Sequence, residues 1–292
     1  MSVKLSSEKL NMSVKQIAGK WRSVTDFGRR CFYCLARVTW LLSRTPFRRT
    51  CRDQIKRLSV YLGWAYPRHE ALLPKVNIDD AFPSIVPCRL MAPLAVDGNV
   101  SLLELWCINQ IVAQSNPLRL FEIGTFDGRT SLNMIANASA EARLWTLDLP
   151  PEDVERTAFR LNEGEKAFVL KPKAGERFSS SGYEGRITQI YCDSGVYAPG
   201  ELKGTVDLIL VDGSHTFDYV MSDTRLALEL MRDKGVIVWH DYDGDWPDVT
   251  RALNLLRVQN ALLGAMRSVR GTTLVYAHVK KKEAPCRQIR AS

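Results

Sequence analysis

The stretch Leu118–Leu132, LRLFEIGTFDGRTSL, decides the fold. Its first half is an apolar run of strand length that ends on Gly124, and after a polar turn a helical pattern begins near Thr130. Gly124 and Gly128 allow close approach of backbone to a ligand, and Thr130 can cap the helix that follows. The same texture then recurs. Arg143–Leu149 (RLWTLDL), Ile187–Asp193 (ITQIYCD), Val206–Asp212 (VDLILVD) and Gly235–His240 (GVIVWH) read as strands. Helical patterns fill the gaps over Thr130–Ala138, Pro151–Asn162, Phe217–Met231 and Pro247–Gln259. Alternation of this kind predicts an α/β fold, with a mostly parallel sheet and crossover helices on both faces. Ala265–Val279 differs, because two β-rich stretches joined at Arg270-Gly271 predict a closing hairpin.

In such sheets ligands lie beyond the carboxyl ends of the strands, and in this chain those ends are acidic. Asp148 stands 24 residues after Gly124, a spacing that suits a carboxylate accepting hydrogen bonds from ribose hydroxyls. The dinucleotide fingerprint G-x-G-x-x-G is not met, since its third position is Phe126, and no P-loop lysine follows. Glu122 and Asp127 around the turn would repel phosphates, whereas a cationic sulfonium with an ammonium group would be welcome there.

Taken in order, EIGTFDGRTSL, TLDL, VDGSHTFDYVMSDTRLAL and GVIVWHDY resemble the class I S-adenosylmethionine-dependent methyltransferases of the methyltransferase-24 type, over roughly Leu118 to Tyr242. The resemblance implies a Rossmann-like fold of seven strands with the last antiparallel. It implies that Glu122, Gly124 and the backbone of Thr125, Phe126, Asp127 and Gly128 flank the methionine part of the cofactor. Thr130 and Leu149 belong to the same cofactor set, with Asp148 on the ribose, Asp193 and Ser194 beside the adenine, and Asp212 at the next strand end.

Within that group, Asp212, His215 and Asp241 resemble the metal-assisted sugar and small-molecule O-methyltransferases. There an Asp three residues before a His helps to hold a divalent ion and the His acts as base. The chemistry is reasonable, because a hydroxyl of high pKa is a poor nucleophile, Mg²⁺ on oxygen ligands stabilises the emerging alkoxide, and a neutral imidazole can take the proton. The expected ion ligands are therefore Asp212, His240 and Asp241, with His240 standing where a third carboxylate would complete an all-oxygen set. Plainer readings stay open: Asp212 as a carboxylate that binds a substrate amine or caps a turn, and His215 as a structural histidine. Trp239 and Trp246 read as core or cleft edge, and Lys171–Arg186 as a lid or as plain surface.

The 292 residues provide one α/β core with material left over. The first 75 carry 16 Lys plus Arg against 4 Asp plus Glu, so the front is +12 and the remainder −4. Clustered cations mark an arm that attracts acidic surfaces. Residues 1–66 read as a basic amphipathic helical extension, 67–100 as a Pro-rich linker or cover, 101–280 as the catalytic domain and 281–292 as a basic tail. Arginines interrupt every apolar stretch before it could span a bilayer. The extension therefore either packs on the catalytic part or on a second subunit of a homo-oligomer, or lies on an anionic membrane surface.

Seven cysteines without regular spacing and no secretory signal fit a reducing, cytoplasmic setting, with peripheral membrane association through the extension. Cys31 and Cys34 form a C-x-x-C that lacks a second ligand pair, so they read as ordinary helix positions. The expectation is methyl transfer from S-adenosylmethionine, with Mg²⁺ assistance, to a small-molecule or saccharide hydroxyl. The competing classes are an RNA-binding or RNA-modifying protein using the basic arm, and a catalytically silent scaffold. Nucleic acid is disfavoured by the net-negative catalytic part.

Overall fold

A computed structural model describes residues 28–40, 69–96, 98–170, 174–243 and 246–281, with the side chain of residue 163 excepted. The chain divides into two units, Met1–Pro67 and Arg68–Ser292. In the first, residues 28–40 form a helix; the rest of the extension, like the tail beyond residue 281, lies outside the described residues.

The second unit is built on one sheet. Its strands are β1 (Lys75–Val76), β2 (Arg119–Ile123), β3 (Arg143–Asp148), β4 (Ile187–Tyr191), β5 (Val206–Val211), β6 (Met231–Trp239), β7 (Arg267–Val269) and β8 (Val275–Lys280). The order across the sheet is β1-β7-β8-β6-β5-β2-β3-β4. Only β8 runs against its neighbours, and it forms the expected hairpin with β7. Besides one short turn of helix at Ile78–Ala81, the helices are α1 (Leu102–Ser115), α2 (Arg129–Asn137), α3 (Glu163–Val169), α4 (Phe217–Leu230) and α5 (Pro247–Gln259).

Strand periodicity decides which helices cover which face. Leu120, Leu208, Leu210, Val236 and Val238 pack with the residues of α1 and α2. Phe121, Ile123, Ile209, Val211, Ile237 and Trp239 pack with those of α4 and α5. The sheet thus lies between two apolar layers, and its central strands are buried on both sides.

Three expectations need correction. The sheet has eight strands rather than seven, because Lys75–Val76, inside the Pro-rich segment, pairs in parallel with β7. Pro151–Asn162 is not a helix: it holds one 3-10 turn, Pro151–Asp153, and the α-helix starts only at Glu163. Tertiary bonds override the local pattern there, since Asp193 takes the Ala158 N–H at 2.6 Å and the Phe159 ring packs edge-on against Tyr219. The strand expected over Gly235–His240 begins earlier, at Met231, with an irregularity in its pairing with β5 between Met231 and Val236.

The stretch from Val86 to Val100 is fastened rather than loose. The Gln110 amide holds both backbone groups of Val86, Asn137 both of Arg89 and Asn133 both of Met91. The fully buried Arg129 guanidinium donates to the carbonyls of Ala92, Pro93 and Val100. This strap brings Gly98–Val100 to the carboxyl ends of the strands, where they line a cavity.

Candidate active site

The cavity, of about 410 Å³, opens at the carboxyl ends of β2, β3, β5 and β6. One wall is the turn after β2. Gly124 there has φ +96°, and a Cβ would stand 2.0 Å from the Asp212 carbonyl oxygen, so only glycine lets the two strand ends meet. Phe126 (φ 54°) and Gly128 (φ 81°) complete the left-handed path into α2. Of the residues assigned to the cofactor by sequence, Gly124, Thr125, Phe126, Asp127, Thr130, Asp148, Leu149, Asp193, Ser194 and Asp212 line the cavity. Glu122 and Gly128 stand behind its wall.

The acids are not equivalent. Glu122 is buried and accepts from the hydroxyls of Ser131, in a very short bond, and of Thr146 at 2.7 Å. Burial, with the charges of Asp212 and Asp148, pushes it up to about 8, which favours the protonated form near neutral pH. Asp127 accepts from the Arg129 N–H and the Asn99 amide, each at 3.0 Å, and pairs with Arg177 at 3.2 Å. Asp193 is occupied by the Ala158 and Gly195 N–H groups and the Tyr219 hydroxyl. Arg177 and the Gly175 N–H, from the segment expected as lid or surface, bond to Asp127 and the Phe126 carbonyl.

The ends of β5 and β6 hold a titratable cluster that lines the same cavity. His240 Nδ1 lies 3.0 Å from Asp212 Oδ1 and 3.2 Å from Asp241 Oδ2. His215 Nε2 lies 2.8 Å from the same Asp241 oxygen. Its ring stacks on Trp246 at 4.2 Å and 9°, while Trp239 is a core residue bonded to Thr224. Asp241 has φ +66°, costly for a residue with a side chain, and its N–H donates to the Thr273 hydroxyl. Burial opposes charge on both histidines, but Asp241 and Glu165 raise His215 to about 9, and Asp212 with Asp241 raise His240 well above the ordinary range. Asp241 is held well below it: burial alone would raise the carboxyl, and the two histidines outweigh that.

Two site residues escaped the sequence reading. Glu104 lies 3.4 Å from His240 Nε2 and accepts from Thr273, while Glu165 bonds to His215. The S-x-x-E of Ser101–Glu104, a capping box at the start of α1, was the available signal for the first.

Beneath the cavity Asp223 is fully buried on α4. Burial, reinforced by the Asp193 charge, pushes its carboxyl up to about 7. The folded protein therefore keeps a proton that the unfolded chain releases at lower pH, and stability falls between roughly pH 4 and pH 7. Denaturation of Asp223→Asn should show nearly equal stability at pH 4 and a gain on the order of 4 kcal/mol at pH 8. Parallel pH profiles for the two proteins would refute this.

A family model described as a methyltransferase domain matches residues 121–242. An O-methyltransferase from Streptomyces achromogenes, TomG, solved with S-adenosylmethionine, is 19% identical, covers 64% of this chain and 83% of its own, and superposes with a TM-score of 0.44. The S-adenosylhomocysteine-bound methyltransferase PaMTH1 of Podospora anserina is 17% identical over 82% of this chain and 98% of its own, with a TM-score of 0.46. No curated protein matches the chain. The matched segment runs from β2 to the end of β6 and ends at the acidic strand ends just described, and over it the chain is similar to a methyltransferase domain.

Proposed function

We propose that the domain moves the methyl group of S-adenosylmethionine to a hydroxyl of a small molecule or saccharide, with His215 as the proton acceptor. The observation that carries this is the meeting of Asp212, His215, His240 and Asp241 in the cavity that the turn after β2 and Asp148 also line. As the O–C bond forms the C–S bond breaks, its electron pair stays on sulfur, and the hydroxyl proton passes to His215 Nε2. The protein's share is alignment of the oxygen with methyl and sulfur, and exclusion of water.

Asp212, His240 and Asp241 fit a divalent cation, because one ligand atom from each lies within 4.8 Å of the others. A bound cation would supply charge stabilisation to the emerging alkoxide. One nitrogen beside two carboxylates suits Mn²⁺ or Zn²⁺ as well as Mg²⁺. Asp241, once shared with a cation, would no longer hold the proton on His215.

Isothermal titration of the full chain with S-adenosylmethionine and NAD, each with Mg²⁺ or EDTA, tests the cofactor. S-adenosylmethionine should bind and NAD should not. Asp148→Ala should weaken binding roughly 10- to 100-fold, the worth of a hydrogen bond to a charged group. No binding of S-adenosylmethionine under any condition would overturn the reading.

We also propose that residues 28–40 meet an anionic membrane surface. Cys31, Cys34 and Val38 turn inward, while Phe32 (76% exposed), Tyr33, Leu35 and Trp40 share the outer side with Arg29 and Arg37. Rings at headgroup depth and cations toward anionic lipid suit such a face. Among the described residues no helix is long and apolar enough to cross a membrane. Co-sedimentation with phosphatidylglycerol vesicles, weakened by salt and absent with phosphatidylcholine, is expected; salt-sensitive binding to RNA alone would refute it.

A further inference from the structure

Glu165 has no part in the chemistry above, yet it is the most engaged side chain around His215. It sits in the first turn of α3 and is 4% exposed. Its Oε1 accepts the backbone N–H of His215 in a very short bond and lies 2.9 Å from Nδ1 of the same residue. Its Oε2 accepts the Asn162 N–H at 2.8 Å. The Ser214 hydroxyl lies 3.3 Å from Oε1. The far nitrogen of the ring, Nε2, faces Asp241 and the cavity, and Trp246 covers the ring plane.

We propose that Glu165 is the positioning residue of His215: it holds a proton on Nδ1 and thereby turns Nε2, the nitrogen that exchanges its proton, toward the methyl acceptor. An ionised carboxylate can only accept, so the ring nitrogen beside it must donate, and Nε2 takes a proton only when Asp241 no longer accepts from it. Main chain and ring of His215 are held by one oxygen, which fixes the distance between them and prevents the imidazole from swinging away. A carboxylate behind the imidazole also stabilises the cation formed when Nε2 takes a proton, the arrangement used by Asp-His pairs in hydrolases. Capping of α3 alone would be satisfied by Oε2 at the Asn162 N–H and would not require Oε1 under the ring. The role of Nε2 rests on the methyl-transfer reading, whereas the Nδ1–H bond stands independently of it.

The test is long-range ¹H–¹⁵N NMR on the ¹⁵N-labelled full chain, in which only four histidines contribute. His215 is identified by the signals lost in His215→Gln. The wild type should show an Nδ1-bound proton downfield of the amide envelope and slow to exchange. Glu165→Gln should lose that position, because a neutral amide is the weaker acceptor. An unaltered signal in Glu165→Gln would overturn the proposal. If that variant does not fold, the wild type decides alone, and an Nδ1 that is unprotonated or freely exchanging overturns it. Failure of the wild type to bind S-adenosylmethionine would remove the methyl-transfer reading and leave the Nδ1 result intact.

Discussion

Gly124→Ala should abolish S-adenosylmethionine binding and lower the unfolding free energy by roughly 3 kcal/mol or more, the sum of a left-handed backbone penalty and an overpacked core. The new Cβ would lie 2.0 Å from the Asp212 carbonyl oxygen and 2.6 Å from its carbon. Those atoms are main chain at the end of a central strand, where Asp212 N–H also bonds to the Ile123 carbonyl at 2.9 Å. Neither can yield without parting β2 from β5. Gly128→Ala is the natural comparison, because its Cβ would meet the Phe178 ring at 2.5 Å and Gly175 at 2.8 Å, both in the 174–183 loop. A loop and a side chain can give, so the loss should be smaller. Urea denaturation and cofactor titration measure both effects, and wild-type behaviour of Gly124→Ala would show that the two strand ends do not meet as described.

Removal of the proposed base gives the second large effect. His215→Ala should reduce methyl transfer about 10²- to 10⁴-fold, the usual worth of a positioned general base, with cofactor affinity little changed. The separation follows from the geometry: His215 approaches Asp241, Glu165 and Trp246, while Asp148 lies on the cofactor side expected from sequence. S-adenosylhomocysteine formation by single turnover, with an acceptor found by saccharide screening, provides the measurement. A variant that keeps the wild-type rate would exclude His215 as the proton acceptor, and one that loses cofactor affinity instead would assign the residue to binding.

The α/β order and the closing hairpin were legible because β2, β3, β5 and the second half of β6 are short apolar runs that end on a turn or an acid. So were Asp212, His240 and Asp241, since strand ends of a doubly wound sheet converge by construction. Glu165 was not. It lies 50 residues from His215, in a segment whose helical period suggested a start near Pro151, and only the Asp193 and Tyr219 contacts push the helix to Glu163. A two-residue strand such as Lys75–Val76 carries no periodicity to detect. The charge states of Glu122 and His215 depend on burial and on neighbours distant in sequence, so composition around the turn could not supply them.

The amides of Gln110, Asn133 and Asn137 grip the backbone groups of Val86, Arg89 and Met91, not their side chains. Tolerance to substitution is therefore divided unevenly between the two partners of each bond. The strap can drift widely in side-chain identity as long as it stays extended, whereas three amides on the helices beneath it cannot change without releasing a length of chain. The specification for the cover of the cavity is thus written in α1 and α2, outside the segment that does the covering.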